Sequence, residues 1–363
     1  MTCRRRISMI VYLASSSFQR LMKNPKLHLP IRWDGRDFEK ALENVLDEYY
    51  LEIDAYCSND ETHNSIEINR DRITLIGNGI VRAVKEYHDG YPERAYRHLN
   101  RVMRILIEKP IREYQKSGNL LPGEDTLKLY RVRKARKSIN YARKDIFHVP
   151  ISSRSMISTC RYSIAGYPSL YLSTSLDLCI EETGGKDKAL MASRFQLARV
   201  EQELDIRVIE LGVKPQDFGE QDGLQREYQN RRRELNEIDL TDNHVRENYL
   251  MWYPLIAACS FIRADKNAPF ASEYIVPQLV MQWLRLSSQR GKLLGLRYFS
   301  CSSVRASEMG FDYVFPVNNH EYEDNYCSVL RKAILLTQPV LYNEYDNTWQ
   351  CEEALNRLDL DRI

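Results

Sequence analysis

The segment Lys116-Ser-Gly-Asn-Leu-Leu-Pro-Gly-Glu-Asp125 concentrates turn-forming residues and separates two stretches whose apolar residues recur with different periods. Before it the period is helical. Phe38, Leu42, Val45 and Tyr49 fall on one face, and Asp37 is placed to cap the start. A second helix is expected over Ile80–Tyr87. A third is expected from Tyr91 to Glu108, with Ala95, Leu99, Met103 and Leu106 as its stripe. Beyond the turn segment, Leu129-Tyr-Arg-Val-Arg133 and Ser169-Leu-Tyr-Leu-Ser173 alternate like strands. Strand-like stretches recur at Asp205–Leu211 and Leu294–Ser300, and the charged run Gln216–Glu247 reads as a surface insertion, partly helical. The expectation is an α+β chain: an all-helical N-terminal domain, residues 1–120, then a mixed α/β domain, residues 121–363.

Composition narrows the class. A chain of 363 residues, 43% hydrophobic and 28% charged, has ample material for two cores. Fifty-two basic against 50 acidic residues leave a net charge of +2, too balanced to steer the whole molecule onto nucleic acid or an anionic membrane. The eight cysteines show no CxxC spacing and read as free thiols of a cytoplasmic protein. Arg4–Arg6 followed by the apolar run Ile7–Ala14 imitates a secretory signal, but the run is short and its cleavage site ill-defined, so a first element of a cytoplasmic domain is expected. The longest later apolar candidate, Leu255–Ile262, is far short of a bilayer span and reads as buried core.

The familiar cofactor motifs are missing. There is no GxGxxG, no GxxxxGK[ST], no HExxH or GxSxG, and the seven histidines have no metal-ligand spacing. No metal or bound cofactor is expected. The informative stretch runs from Arg161 through the Gly166-Tyr-Pro168 turn and the Ser169–Ser173 strand to Glu182. Thr174 or Ser175 can cap a helix starting at Leu176, with Asp177 in its first turn. Leu176, Cys179 and Ile180 then share the core face and Glu181 falls nearly opposite, while Glu182 shares a flank with Leu178 and can lie along the sheet. Geometry therefore favours Glu182 over Glu181 for a site, the bland alternative being two solvated helix carboxylates.

These residues resemble the RES-domain family. Leu129-Tyr-Arg131, Arg161 before a glycine turn, Tyr171-Leu-Ser-Thr-Ser175, Glu182, Tyr274-Ile-Val-Pro-Gln278 and Gly295-Leu-Arg-Tyr-Phe-Ser300 follow the family's blocks in order. Asp312-Tyr-Val-Phe-Pro316 with Tyr326-Cys327 is similar to its closing segment, and the match covers Leu127–Val340. Cys179 stands where the family usually has alanine, the 216–247 insertion lengthens the domain, and residues 1–120 fall outside the motif blocks. The resemblance implies an ADP-ribosyltransferase-like fold that takes NAD as substrate and removes its nicotinamide by hydrolysis or phosphorolysis, or by transferring ADP-ribose to a protein. Many members are toxins restrained by an antitoxin, so an antitoxin or regulatory protein is a candidate partner, as is a second copy of the chain. A membrane or nucleic acid is not expected as a partner.

Under that resemblance, the reaction sets requirements for charge. Breaking the nicotinamide–ribose bond develops oxocarbenium character at the ribose, which a carboxylate stabilises; Glu182 is the candidate. The pyrophosphate suits arginine forks, for which Arg131 and Arg161 are candidates. Tyr171, and less strongly Tyr130, can stack on nicotinamide or ribose, and Ser300 can hydrogen-bond the ribose or carboxamide. Each has a plain alternative: Arg131 in a solvated basic run, Arg161 in a surface ion pair, the tyrosines as ordinary strand residues, Ser300 displaced by one or two positions among its serine neighbours. Two rival functions remain open. One is a nucleotide-sensing module without turnover. The other places function in the N-terminal half, where Arg94 and His98 sit one helical turn apart, a pattern that reads first as a solvated helix face.

Overall fold

A computed structural model describes residues 18–57, 66–111, 128–135, 141–184, 189–197, 205–218, 240, 242–287, 292–317, 325–345 and 347–363. The signal-like run at 4–14, the turn segment at 116–125 and most of the 216–247 insertion lie outside these residues.

Helices run over Phe38–Cys57 (α1), Ile66–His88 (α2), Pro92–Leu106 (α3) and Leu176–Thr183 (α4). They continue with Asn243–Ala258 (α5), Ile275–Ser287 (α6), Ser328–Ala333 (α7) and Thr348–Arg357 (α8). Strands are Leu129–Lys134 (β1), Ser169–Ser173 (β2), Leu190–Leu197 (β3) and Asp205–Leu211 (β4). Lys292–Tyr298 (β5), Asp312–Pro316 (β6), Ile334–Leu336 (β7) and Val340–Leu341 (β8) follow. This is the α+β class expected.

The chain packs as two compact units, and neither is one continuous stretch. One joins Met1–Arg112 to Val213–Val280; the other joins Glu113–Gly212 to Met281–Ile363. The division therefore differs from a single cut after residue 120. The reason lies in α5, whose residues Tyr249–Ala258 are all buried. A helix apolar on every side needs packing on every side, and the N-terminal helices supply it. Tyr49 donates its hydroxyl to the Leu250 carbonyl at 2.6 Å, Trp252 donates its indole N–H to the Lys109 carbonyl at 2.8 Å, and Tyr253 donates to the Leu27 carbonyl at 3.1 Å. The expected helix at Ile80–Tyr87 is the second half of α2. Its stripe extends back through Ile76 to Ile73, where Gly77 and Gly79 weaken the helical signal.

The second unit is built on a mixed sheet in the order β4-β5-β6-β2-β1-β3-β7, with β8 also pairing β3. β4 and β5 are parallel and the other pairs antiparallel. α4 covers one face: Leu176, Cys179 and Ile180 pack with Tyr130, Val132, Leu190 and Ala192. The helix begins as the sequence predicts, with the Ser175 hydroxyl accepting the Leu178 N–H at 3.3 Å and Asp177 in the first turn. It stops at Gly184, whose φ of +96° is the left-handed cap that glycine adopts most readily. β5 ends at Tyr298, so Ser300 lies just past the strand rather than on it. Among the described residues no helix is long and apolar enough to cross a membrane.

Candidate active site

The register of three strands lays out one end of the second unit. Asp312 on β6 is paired with Ser173 on β2 and with Tyr298 on β5, so all three side chains start from the same face. α4 brings Glu182 to this row, and the Ser300 hydroxyl donates to Glu182 Oε1 at 2.6 Å. Ser300 is itself fully buried and is fixed by Ser302, whose hydroxyl lies 3.0 Å away and whose N–H donates to Ser300 Oγ at 3.3 Å. Glu182 as a residue is exposed, although protein surrounds its carboxyl group on most sides. Burial raises its pKa above the ordinary carboxylate range; the Ser300 hydrogen bond, a hydrogen bond with Asp312 and the positive charge of Arg161 pull the other way. Glu181 is exposed as Glu182 is, but its side chain makes no hydrogen bond or ion pair among the described residues.

Arg131 sits differently from what a simple constellation would require. Strand alternation turns it away from Tyr130, and the pairing of β1 with β2 is the single register pair Tyr130–Ser173. Where the two strands part, Arg131 donates from Nη1 to the Tyr171 carbonyl at 3.0 Å. Its Nε is buried with no acceptor, and no described carboxylate pairs with it. Burial and then neighbouring Arg133 push its guanidinium pKa down, the mark of a cation without a counter-charge. Its charge reaches Cys179, as do those of Asp312 and Glu182, but the cation acting on Glu182 itself is Arg161.

Tyr171 is half-buried, and its hydroxyl donates to the Tyr162 carbonyl; the Tyr162 ring in turn lies 4.5 Å from that of Tyr298. Through Tyr298 these rings adjoin the row that holds Asp312. Tyr130 is not brought to the site. It is 4% exposed and packs into the core with Tyr342, Cys351 and Leu355. His148, read from sequence as structural, is fully buried and bonded at both ring nitrogens to main chain, with Val149 and Cys327.

Sequence reasoning missed Asp312. It is 3% exposed, and burial, followed by the charge of Glu182, drives its pKa well above the ordinary carboxylate range. The signal was present: one carboxylate opening a strand whose other residues, Tyr313, Val314, Phe315 and Pro316, are all buried. A buried charge without a cation on its own strand asks for an explanation.

No protein-family model and no solved structure matches the chain. The chain is similar to the protein named "Putative toxin YopC" of Bacillus subtilis (strain 168), at 28% identity over 337 residues, spanning 91% of this chain and 72% of that protein.

Proposed function

We propose that this protein is a toxin that cleaves the nicotinamide–ribose bond of NAD. The observation that carries the reading is the hydrogen bond from buried Ser300 to the exposed residue Glu182. It fixes a carboxylate where positive charge can be met, with Arg161 in electrostatic range. The RES-domain resemblance names those residue types in that order, and the relative named as a toxin supports the coarser half of the reading.

In this reading the carbon–nitrogen bond breaks with its electron pair going to the pyridinium nitrogen, so neutral nicotinamide leaves. The ribose is left with oxocarbenium character, which the Glu182 carboxylate stabilises electrostatically. Water or inorganic phosphate attacks the anomeric carbon and gives up a proton to solvent or to the carboxylate. Arg131, lacking any described counter-ion, holds pyrophosphate oxygens. NAD is the substrate, and no separate cofactor is needed. An antitoxin protein restrains the enzyme.

The test mixes purified protein with NAD, with and without phosphate, and quantifies products by mass spectrometry. Free nicotinamide with ADP-ribose identifies hydrolysis, and a phosphorylated ADP-ribose identifies phosphorolysis. ADP-ribose attached to a protein would move the activity to a transferase. A folded sample that neither binds nor consumes NAD would sink the proposal.

A further inference from the structure

α1 and α2 run antiparallel, with Asp54 paired to Arg70, Glu43 to Lys85 and Glu39 to His88 along their length. The last of these pairs has a third member. His88, the final residue of α2, places Nδ1 2.7 Å from Glu39 Oε1 and Nε2 3.3 Å from the hydroxyl of Ser272. An ionised carboxylate only accepts, so the ring donates to it from Nδ1, and the neutral imidazole offers Nε2 as acceptor to the Ser272 hydroxyl. Serine, base and a carboxylate orienting the base thus stand in the order of a nucleophilic triad, which is recognised by geometry rather than by position along the chain. All three residues belong to the first unit, whereas Glu182 and Ser300 belong to the second.

The segment carrying Ser272 is fixed. Glu273, 3% exposed, accepts the Ala264 N–H at 3.1 Å, and Arg263 donates to the Asp265 and Ala268 carbonyls at 3.0 and 2.6 Å. Ser272 opens a 3-10 turn, Ser272–Tyr274, that passes directly into α6. The first bond of that turn joins the Tyr274 N–H to the Ala271 carbonyl at 2.9 Å. The N–H groups of Ser272 and Glu273 lie ahead of it and have no acceptor among the described residues. Such donors beside a nucleophile suit a carbonyl oxygen that gains negative charge. The site is reachable from solvent, the side chains of His88 and Glu39 being 26% and 30% exposed. Phe270 borders it, its exposed ring centred 6.4 Å from the rings of both His88 and Tyr87.

We propose that Ser272, His88 and Glu39 form a second catalytic site that hydrolyses carboxylic esters, with the Phe270 ring as an apolar wall for the acyl group. Ser272 Oγ attacks the ester carbonyl carbon as its proton passes to His88 Nε2, and the carbonyl electron pair moves onto oxygen beside the Ser272 and Glu273 N–H groups. The pair then returns and the bond to the alcohol oxygen breaks. The alcohol leaves with the proton from Nε2. Water repeats the sequence on the acyl-serine, which frees the acid and restores Ser272. Glu39 stays ionised throughout and is a positioning residue: it holds Nδ1 and offsets the imidazolium charge.

No step involves NAD, so the test stands apart from the NAD-cleaving reading. The full chain is treated with a fluorophosphonate, and the modified residue is located by peptide mass spectrometry. A phosphonyl group on Ser272 is expected, forming about 100-fold or more slowly in His88→Gln. Hydrolysis of p-nitrophenyl butyrate should fall about 100-fold or more in Ser272→Ala. Glu39→Gln should lower kcat about 10-fold or more with KM held. A wild type left unlabelled at Ser272, labelling as fast in His88→Gln, or hydrolysis undiminished in Ser272→Ala each overturns the proposal. An unchanged kcat in Glu39→Gln refutes the positioning role. Labelling of the wild type decides the matter even where a variant fails to fold.

Discussion

Ser300 reaches Glu182 across 118 residues of sequence, its hydroxyl donating to the carboxylate at 2.6 Å from a fully buried position. A donor so placed orients the carboxylate and spreads its charge without neutralising it. Glu182→Gln should therefore cut NAD cleavage by about 100-fold or more, since shape is kept and charge is lost. Ser300→Ala should cost less, about 10-fold, because the carboxylate keeps its charge and loses one donor. Nicotinamide release measured on both variants, with melting curves to confirm folding, checks the order; Ser300→Ala falling below Glu182→Gln would reverse it.

Arg131 makes an opposite prediction for stability and binding. Its buried Nε has no acceptor and its charge no described carboxylate. Replacing it by methionine removes an uncompensated charge and keeps most of the volume, so the midpoint of thermal unfolding should hold or rise. Binding of ADP-ribose should weaken by about 10- to 100-fold, the worth of one or two charge-assisted hydrogen bonds. Titration calorimetry and thermal unfolding of the same sample test both halves. A destabilised variant with normal affinity would place Arg131 in the scaffold.

Local patterns in the sequence are enough for α4. Thr174 and Ser175 announce its start, and the helical angle by itself separates Glu182 from Glu181. The strands β2 and β4 are equally plain, having alternation or a β-rich run between turns. What depends on partners far along the chain is not legible. Asp312 gains its meaning only from the β2–β6–β5 register, and Tyr130 and Arg131 cannot be sorted until one face of β1 has a core beneath it. The unit boundaries differ for the same reason: α5 signals burial, but not by what. Deleting residues 1–120 would strip Val213–Val280 of its packing partners, because the cut falls across a unit rather than between two.

On the sheet's other face, Glu210 and Arg297 form a buried ion pair on adjacent parallel strands, 2.7 Å apart and with both side chains almost fully covered. The Arg297 guanidinium also lies 4.1 Å from the Phe311 ring centre, and Glu210 accepts the Gly212 N–H at 2.6 Å. Removing either partner leaves a buried charge alone, so Glu210→Ala or Arg297→Ala should each cost about 3–5 kcal/mol in denaturant unfolding. The double replacement Glu210→Leu with Arg297→Met should cost less than either single change, because no charge is stranded. Costs that simply add would show the two residues acting independently.

His148 sets a pH limit on the fold. Its Nε2 accepts the Cys327 N–H at 2.9 Å, so the ring proton must sit on Nδ1, which donates to the Val149 carbonyl at 2.8 Å. A second proton would break the Cys327 bond inside a fully buried site. Burial, and more weakly the charges of Arg131 and Arg133, lower its pKa to about 4. An unfolded histidine protonates near 6.5, so the unfolded state takes up its proton first as pH falls. Stability from this group is complete above about pH 6.5 and drains away as pH falls toward 4, by about 3 kcal/mol in all. Urea unfolding followed from pH 7 to pH 4 should show that loss, and His148→Gln, which cannot gain the proton, should flatten it. An equal slope in the variant would assign the acid sensitivity to carboxylates elsewhere.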